Sequence, residues 1–383
     1  MASGPKRRLA GAIAVATVFG GACAVYGPSL LVGGDAGVDG GVPAEAGDAG
    51  DPPCSAARFP DRPATDDGTP SQPEIVLAMR ELVLDPDAGA GALRGWDLDR
   101  RCTCPGRPSC NPIEAGVVCD DPAGRDNSAG LLFASFSAFA GDAFNTQKLN
   151  QKIQSGAFTV LVRLRDYNGG KNDQQVNTAI FLSNGMKGSE DGGTPQAPKW
   201  DGTDEWTVDP ASLFGGTGPP YVPLPDAVDT SSYVTDGMLV ATLNEVNVEF
   251  TSGSGLGNLH LDVTGAIVTG HPMQKNGQWT IEDGVLAGRW GSRRFLTAFA
   301  PLKDPLGPGW LCGDSGTYGA IKQLVCRNRD ITTAPQNDNT GAFCDALSIG
   351  FGLVAAPAKM GNLVGRAAPA QPCGPLWDDD CNK

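Results

Sequence analysis

Residues 157–183 read AFTVLVRLRDYNGGKNDQQVNTAIFLS, and this stretch decides the fold class. From Thr159 to Tyr167, Val160, Val162 and Leu164 fall on one face, and Leu161, Arg163 and Arg165 on the other. That is the two-residue period of a strand with one buried and one wet face. Val176, Thr178, Ile180 and Leu182 repeat the pattern, with the β-branched residues that strands favour. Between the two runs, Asn168, Gly169, Gly170, Lys171, Asn172 and Asp173 supply turn chemistry: glycine for positive φ, Asn and Asp for local hydrogen bonds. A lone hairpin is marginal in water, so this pair requires a larger sheet.

Further strands are found on both sides. EIVLAMRELVL, Glu74 to Leu84, fits either a helix or a strand, and the punctuation by Asp85-Pro86-Asp87 and the β patterns that follow favour a strand. Strands are also expected at Gly237–Leu243, Glu245–Phe250, Leu259–Val268, Gln278–Ile281 and Gly284–Arg289. In Ala346–Ala355, Leu347, Ile349, Phe351 and Leu353 alternate with Ser348, Gly350 and Gly352. Helical spacing predicts helices over Asn127–Ala140 and Asp142–Ser155, and shorter ones capped by Ser292 and Ser315. Residues 184–235 read as a long polar loop. With 53 Gly and 30 Pro, the whole predicts a mainly β, antiparallel β-sandwich, jelly-roll-like, with a few short peripheral helices.

The start of the chain has a different character. Lys6, Arg7 and Arg8 precede a short apolar run, Leu9–Phe19, and small residues that end at Cys23. That is an export signal, too short for a membrane span. Phe19-Gly20-Gly21-Ala22-Cys23 resembles a bacterial lipobox, with Gly20 where Leu is usual. The resemblance implies a signal peptide over 1–22 and lipidation at Cys23; an ordinary signal peptide cut nearby is the alternative. Ala24, rather than Asp, implies outer-membrane sorting. Residues 33–53, GGDAGVDGGVPAEAGDAGDPP, are Gly, Ala, Asp and Pro with almost no large apolar side chain, and they make 23–53 a disordered segment. They read as an acidic tether with a reach of roughly 30 Å. Residues 54–383 read as a single domain.

The chain has 11 cysteines, and setting Cys23 aside leaves ten in an exported protein, which predicts five disulfides. Cys54, Cys102, Cys104, Cys110 and Cys119 lie early; Cys312, Cys326, Cys344, Cys373 and Cys381 lie late. Each group is odd in number. If all ten are paired, at least one bridge must join the two groups and bring the ends of the globule together.

Composition and motifs narrow the chemistry. A net charge of −14 disfavours nucleic acid and anionic surfaces as partners. Two histidines, His260 and His271, leave little room for His-based catalysis or zinc. Cys312-Gly313-Asp314-Ser315-Gly316 resembles the nucleophile segment of trypsin-like proteases, but no histidine lies where that family needs its base. Glu245 and Glu249 share a strand face, yet four residues span roughly 13 Å, beyond the carboxylate spacing of a glycosidase.

Two stretches remain as candidate binding elements. In KWDGTDEWTVD, Trp200 and Trp206 offer aromatic faces, and Asp201 and Asp204 carboxylates, suited to a glycan. Rings closing the edge of a core give the same pattern. Asp97, Asp99, Asp120, Asp121, Asp126 and Asn127 flank the early cysteines, and an oxygen-rich loop in a disulfide frame suits Ca²⁺, although no EF-hand spacing is present. Solvated turn carboxylates are the alternative.

Taken together, GWDLDRRCTC, CDDPAGRDN, YNGGKNDQQV, KWDGTDEWTVD, GVLAGRW and NTGAFCDALSIG resemble exported lipoproteins of myxobacterial type. The resemblance implies location and a shared β-rich fold, not a mechanism. The expectation is a lipid-anchored envelope protein acting as a non-enzymatic binding module for a glycan or a Ca²⁺-dependent ligand. A polysaccharide hydrolase and a structural envelope protein are the alternatives.

Overall fold

The hairpin forms as its alternation requires. In the computed structural model, β2 (Thr159–Arg165) and β3 (Asp173–Ser183) pair antiparallel, from Thr159 opposite Ser183 to Arg165 opposite Asn177. The structure describes residues 57–84, 93–103, 108–112, 118–133, 146–188, 196–213, 225–251, 258–313, 316–365, 372–374 and 377–382. Cys23, Cys54, Cys104, Asp85–Asp87 and Ser315 lie outside them. All the described residues belong to one compact unit, Gly50–Lys383.

The remaining strands are β1 (Ile75–Val83), β4 (Glu205–Val208), β5 (Ala227–Thr235), β6 (Met238–Thr251), β7 (Asn258–Lys275), β8 (Gln278–Gly291), β9 (Ala346–Pro357) and β10 (Lys359–Leu363). Three helices are α1 (Thr146–Gln154), α2 (Ser292–Phe299) and α3 (Gly316–Arg327), and residues 128–133 are also helical. The fold is mainly β and antiparallel, with few helices, as the sequence leads one to expect. Its large sheet closes on itself: β1-β2-β3-β5-β6-β7-β8-β9 form a barrel in which β9 returns to β1. Strand order follows chain order, apart from the detour through β4. Closure removes the two free edges that an open sheet would expose.

The barrel is filled, not hollow. Val162, Leu243, Leu261, Leu286, Ile349 and Phe351 point inward, and Trp290, Phe295 and Phe299 complete the same core. Phe295 and Phe299 stack at 4.3 Å, and Trp290 lies 4.2 Å from Phe295. Outward positions such as Glu249, His260 and Asp262 are polar and at least partly exposed. This is the reverse of a membrane-spanning barrel, whose apolar side chains face lipid. Among the described residues, no helix is long and apolar enough to cross a membrane.

Several details differ from expectation. The residues 184–235 are not one loop: β4 and β5 lie within them, and the polar sequence of β5 hides a barrel strand whose outward face is wet. The outer face of β2 is dry, not wet. Leu161, Ala78, Ala179 and Phe181 form a second core with Trp206, Val208, Leu213 and Met186. The small parallel sheet of β4 and β10 supplies part of that cover. Ser292 is the first residue of α2; the cap position is Gly291, with no side-chain cap.

β9 is buried along nearly its whole length on both faces. Its inward side is the apolar series of the sequence pattern. Its outward side, Ser348, Gly350 and Gly352, carries the early loop. A Cβ on Gly350 would stand 2.1 Å from the Arg94 carbonyl oxygen, a backbone atom that cannot move aside cheaply. Cys110–Cys344, across 234 residues, joins the early and late cysteines beside this contact. Cys312–Cys373 and Cys326–Cys381 pin the C-terminal segment, and Cys102 and Cys119 are also disulfide-bonded. Gly350→Ala is therefore expected to destabilise the protein by about 1–3 kcal/mol, as overpacking does. A urea midpoint equal to wild type would show that the loop can lift off β9 without cost.

Candidate functional site

The loop that lies on β9 is built as an irregular ribbon. Asp126 N–H donates to Trp96 O at 3.2 Å, and Asp120 N–H to Thr103 O at 3.3 Å, so 96–103 and 120–126 run antiparallel. Carboxylates complete the ladder: Asp126 Oδ2 accepts from Leu98 N–H at 2.6 Å, and Asp120 Oδ2 from Thr103 N–H at 2.8 Å. Asp99 Oδ1 accepts from Arg101 N–H at 2.8 Å and shapes a turn at Arg100, whose φ is 63°. Arg289 on β8 ties the ribbon down, donating to Leu98 O at 2.9 Å and to buried Asp338 at 2.5 Å.

This ribbon gathers Asp97, Asp99 and Asp126, all buried, with one oxygen of each within 4.8 Å of the others. Asp120 sits beside Asp126 and feels the charge of Asp99. Asp330, behind them, is fully engaged: it accepts from Ser128 Oγ, Ser348 N–H and Ser348 Oγ. Asp97 is the opposite case. Its side chain has no solvent exposure, and neither of its carboxylate oxygens accepts a well-formed hydrogen bond, although the Arg100 and Arg101 N–H groups lie close enough to draw on it weakly. Its nearest cation is Arg58 Nε, 3.5 Å from Oδ2. Ser109 Oγ, beside Asp99, is also buried without a well-formed hydrogen bond. A buried carboxylate lacking donors is costly unless a cation or proton answers it.

Burial raises every one of these carboxyls. Asp99 is pushed up to about 6, by desolvation first and then by the charges of Asp97 and Asp330. Asp120 is pushed up to about 7, by desolvation and then by Asp99 and Asp330. Asp126 and Asp330 are raised by burial, and Asp97 is raised by burial against the pull of Arg58.

Two of the six residues expected to bind a metal do other work. Asp121 accepts from Leu93, Ala123 and Arg125 N–H groups and from the Arg125 guanidinium, so it holds a turn. Asn127 spends its whole amide on backbone. Its Nδ2 donates to Arg94 O and Gly350 O, and its Oδ1 accepts from Gly350 N–H and Gly130 N–H. No capacity remains for a ligand.

The aromatic candidate is corrected more thoroughly. Trp206 is fully buried in the second core, with Trp200 5.7 Å away and only half-buried. Asp204 is buried and accepts from the Lys199 and Trp200 N–H groups, fixing Trp200 at a φ of 60°. Asp201 closes its own turn through Thr203. A sugar ring cannot reach Trp206, and the Asp204 carboxylate is spent on backbone, which leaves only exposed Asp201 open to a hydroxyl. A shallow hollow elsewhere, with about 10 Å³ of room, is lined by Asp226 and Glu245, but Glu245 is paired with Arg294 at 2.7 Å. Gly313 precedes a segment outside the described residues, and Cys312 is held in its bridge to Cys373.

No family model, curated protein or solved structure matches this chain.

Two measurements follow from this geometry. Trp206→Ala is expected to cost about 3–5 kcal/mol, the range for a fully buried aromatic, and Trp200→Ala clearly less. Equal losses in urea denaturation would contradict the burial order. The raised carboxyls also set a pH dependence. Between the ordinary 3.8 and the raised values of about 6 and about 7, the folded chain binds more protons than the unfolded one. Stability from these groups thus falls as pH rises across that window. In chelator, the melting temperature should decline from about pH 4.5 to 7.5, and Asp99→Asn should flatten the decline. A rise over the same range would mean that these carboxylates are stabilised by partners.

Proposed function

We propose that this protein is an exported, lipid-anchored cell-envelope module that binds without catalysing, and that its acidic centre takes Ca²⁺. The observation that carries this is the carboxylate of Asp97, sealed from solvent without a well-formed hydrogen bond and set against Asp99 and Asp126 within 4.8 Å. Hard oxygen donors in an irregular ribbon suit Ca²⁺, which accepts flexible geometry, better than the strict octahedron of Mg²⁺. Asp97, Asp99 and Asp126 would hold the ion, with Asp120 and the Ser109 hydroxyl next to them. The cation would neutralise the mutual repulsion of the cluster and fix the ribbon on β9.

The exported setting is supported by the basic and apolar start of the chain, by the lipobox-like segment ending at Cys23 and by the disulfides, which persist in oxidising compartments. The resemblance to exported myxobacterial lipoproteins points the same way. Polar outward side chains favour a barrel displayed in water on a tether, with the lipid at Cys23 as its anchor.

The test is thermal denaturation and calorimetric titration with CaCl₂. Ca²⁺ is expected to raise the melting temperature of the wild type at neutral pH, because a ligand of the folded state alone stabilises by mass action. Asp99→Asn and Asp126→Asn should lose that response. In chelator both should melt no lower than wild type, since each removes a repelling charge while an amide oxygen still accepts the backbone hydrogen bond. No heat of binding and an unchanged melting curve in millimolar CaCl₂ would sink the assignment.

A further inference from the structure

Asp97 is a buried carboxylate whose only cationic neighbour among the described residues is half in solvent. The Arg58 side chain is 49% exposed, whereas that of Asp97 has no exposure. Their contact, 3.5 Å from Nε to Oδ2, is longer than the roughly 2.7–2.9 Å of a well-formed charge-assisted hydrogen bond. Elsewhere the same chain makes tighter pairs: Lys322–Asp379 at 2.8 Å and Arg289–Asp338 at 2.5 Å. Arg58 is thus close enough to offset the charge of Asp97 and too loosely held to be its permanent partner.

The backbone around it is fixed by other means. Asp97 N–H donates to Ala57 O at 3.1 Å, and the Phe59 ring meets Trp96 edge-on at 6.0 Å. The guanidinium can therefore swing outward while residues 57–59 stay docked. Asp97 has no such freedom, because it is enclosed by its own ribbon.

We propose that Arg58 is a displaceable internal counter-cation, which occupies the electrostatic place of Ca²⁺ at Asp97 and sets the affinity of the acidic centre by competing with it. This rests on the Ca²⁺ reading of the centre. A bound divalent ion and a guanidinium at the same carboxylate repel one another, so each weakens the hold of the other by the same factor. Arg58 gives Asp97 a partner when Ca²⁺ is scarce and yields when it is abundant. The affinity of the site is then lower than its carboxylates alone would provide, and only a cation carrying more charge than the guanidinium gains by the exchange.

The experiment is calorimetric titration of the full chain with CaCl₂, comparing wild type with Arg58→Gln, Arg58→Ala and Arg58→Lys. Folding is monitored by circular dichroism and by melting in chelator. Arg58→Gln and Arg58→Ala are expected to bind Ca²⁺ roughly tenfold more tightly, within the usual range of coupling between sites. Arg58→Lys, which keeps the charge, should stay near wild type. Binding to the variants where the wild type shows none would support the same conclusion in a stronger form. Unchanged or weaker affinity in the two uncharged variants, with wild type binding normally, overturns the role of Arg58 and leaves the Ca²⁺ site standing. If neither wild type nor any variant binds, and the wild type melts identically with and without CaCl₂, the Ca²⁺ reading fails and the role of Arg58 with it.

Discussion

The hydrogen bonds between the Asn127 amide and the peptide of Gly350 hold the rest of this architecture together. β1 pairs with β9 only as far as Val83 opposite Gly352, and beyond that point, among the described residues, no strand runs along this edge of β9 until the bridge between Ile331 and Ala346. Asn127 Oδ1 accepts from Gly350 N–H at 3.0 Å, and Nδ2 donates to Gly350 O at 2.9 Å. A side-chain amide thus continues the ladder where the strand has ended. Gly350 is the residue that permits it, since any Cβ there would strike Arg94 O. Ser128 N–H reaches Ser348 Oγ at 2.8 Å, so the next outward residue of β9 is used as well. Buried backbone groups must be paired somewhere; here the pairing is what seats the early loop on the barrel wall.

Once that loop is seated, its carboxylates have nowhere to go. Asp97, Asp99 and Asp126 are carried on a ribbon whose ladder is partly made of their own oxygens, and Asp330 closes the back through Ser128 and Ser348. The covalent bridge Cys110–Cys344 and the buried pair Arg289–Asp338 hold the same segments from the sides. Concentrating negative charge in a dry place opposes folding. A chain that does so must be held by stronger constraints nearby, and both a disulfide and a buried guanidinium are present.

The sequence made some of this legible and hid the rest for physical reasons. Period-two alternation exposed β2, β3 and β9, because each has one uniformly apolar face turned to the core. It concealed β5, whose Asp229, Thr230 and Ser231 face water and read as loop. Parity of the cysteines required a link between the two ends, which Cys110–Cys344 supplies, but parity says nothing about which partner is which. Asp density marked a loop in which four of the six named residues converge. Density alone could not separate Asp97, which lacks donors, from Asp121 and Asn127, whose oxygens are spent on backbone. Asp330 and Arg58 lay outside that stretch, far along the chain in one case and just after Cys54 in the other. Only the antiparallel course of the ribbon and its seat on β9 bring them in.

The two tryptophans show why residue type is a weaker guide than the surface beneath it. Trp200 and Trp206 have the spacing of an exposed aromatic platform, but the barrel wall under them is apolar: Leu161, Ala179 and Phe181 point outward from β2 and β3. A closed barrel that turned those side chains to water would lose the burial that large aromatic and aliphatic groups provide. Trp206 therefore goes to the wall, and Asp204 is consumed in turning the chain so that it can. At β9 the wall is Ser348, Gly350 and Gly352, small and polar, and it has no such demand. It accepts backbone and hydrogen bonds, which leaves the acidic side chains of the covering loop free to face one another. Which part of the barrel wall gathers acidic side chains and which part is covered by apolar packing is decided by the outward residues of its strands, before the loops that cover them contribute any chemistry of their own.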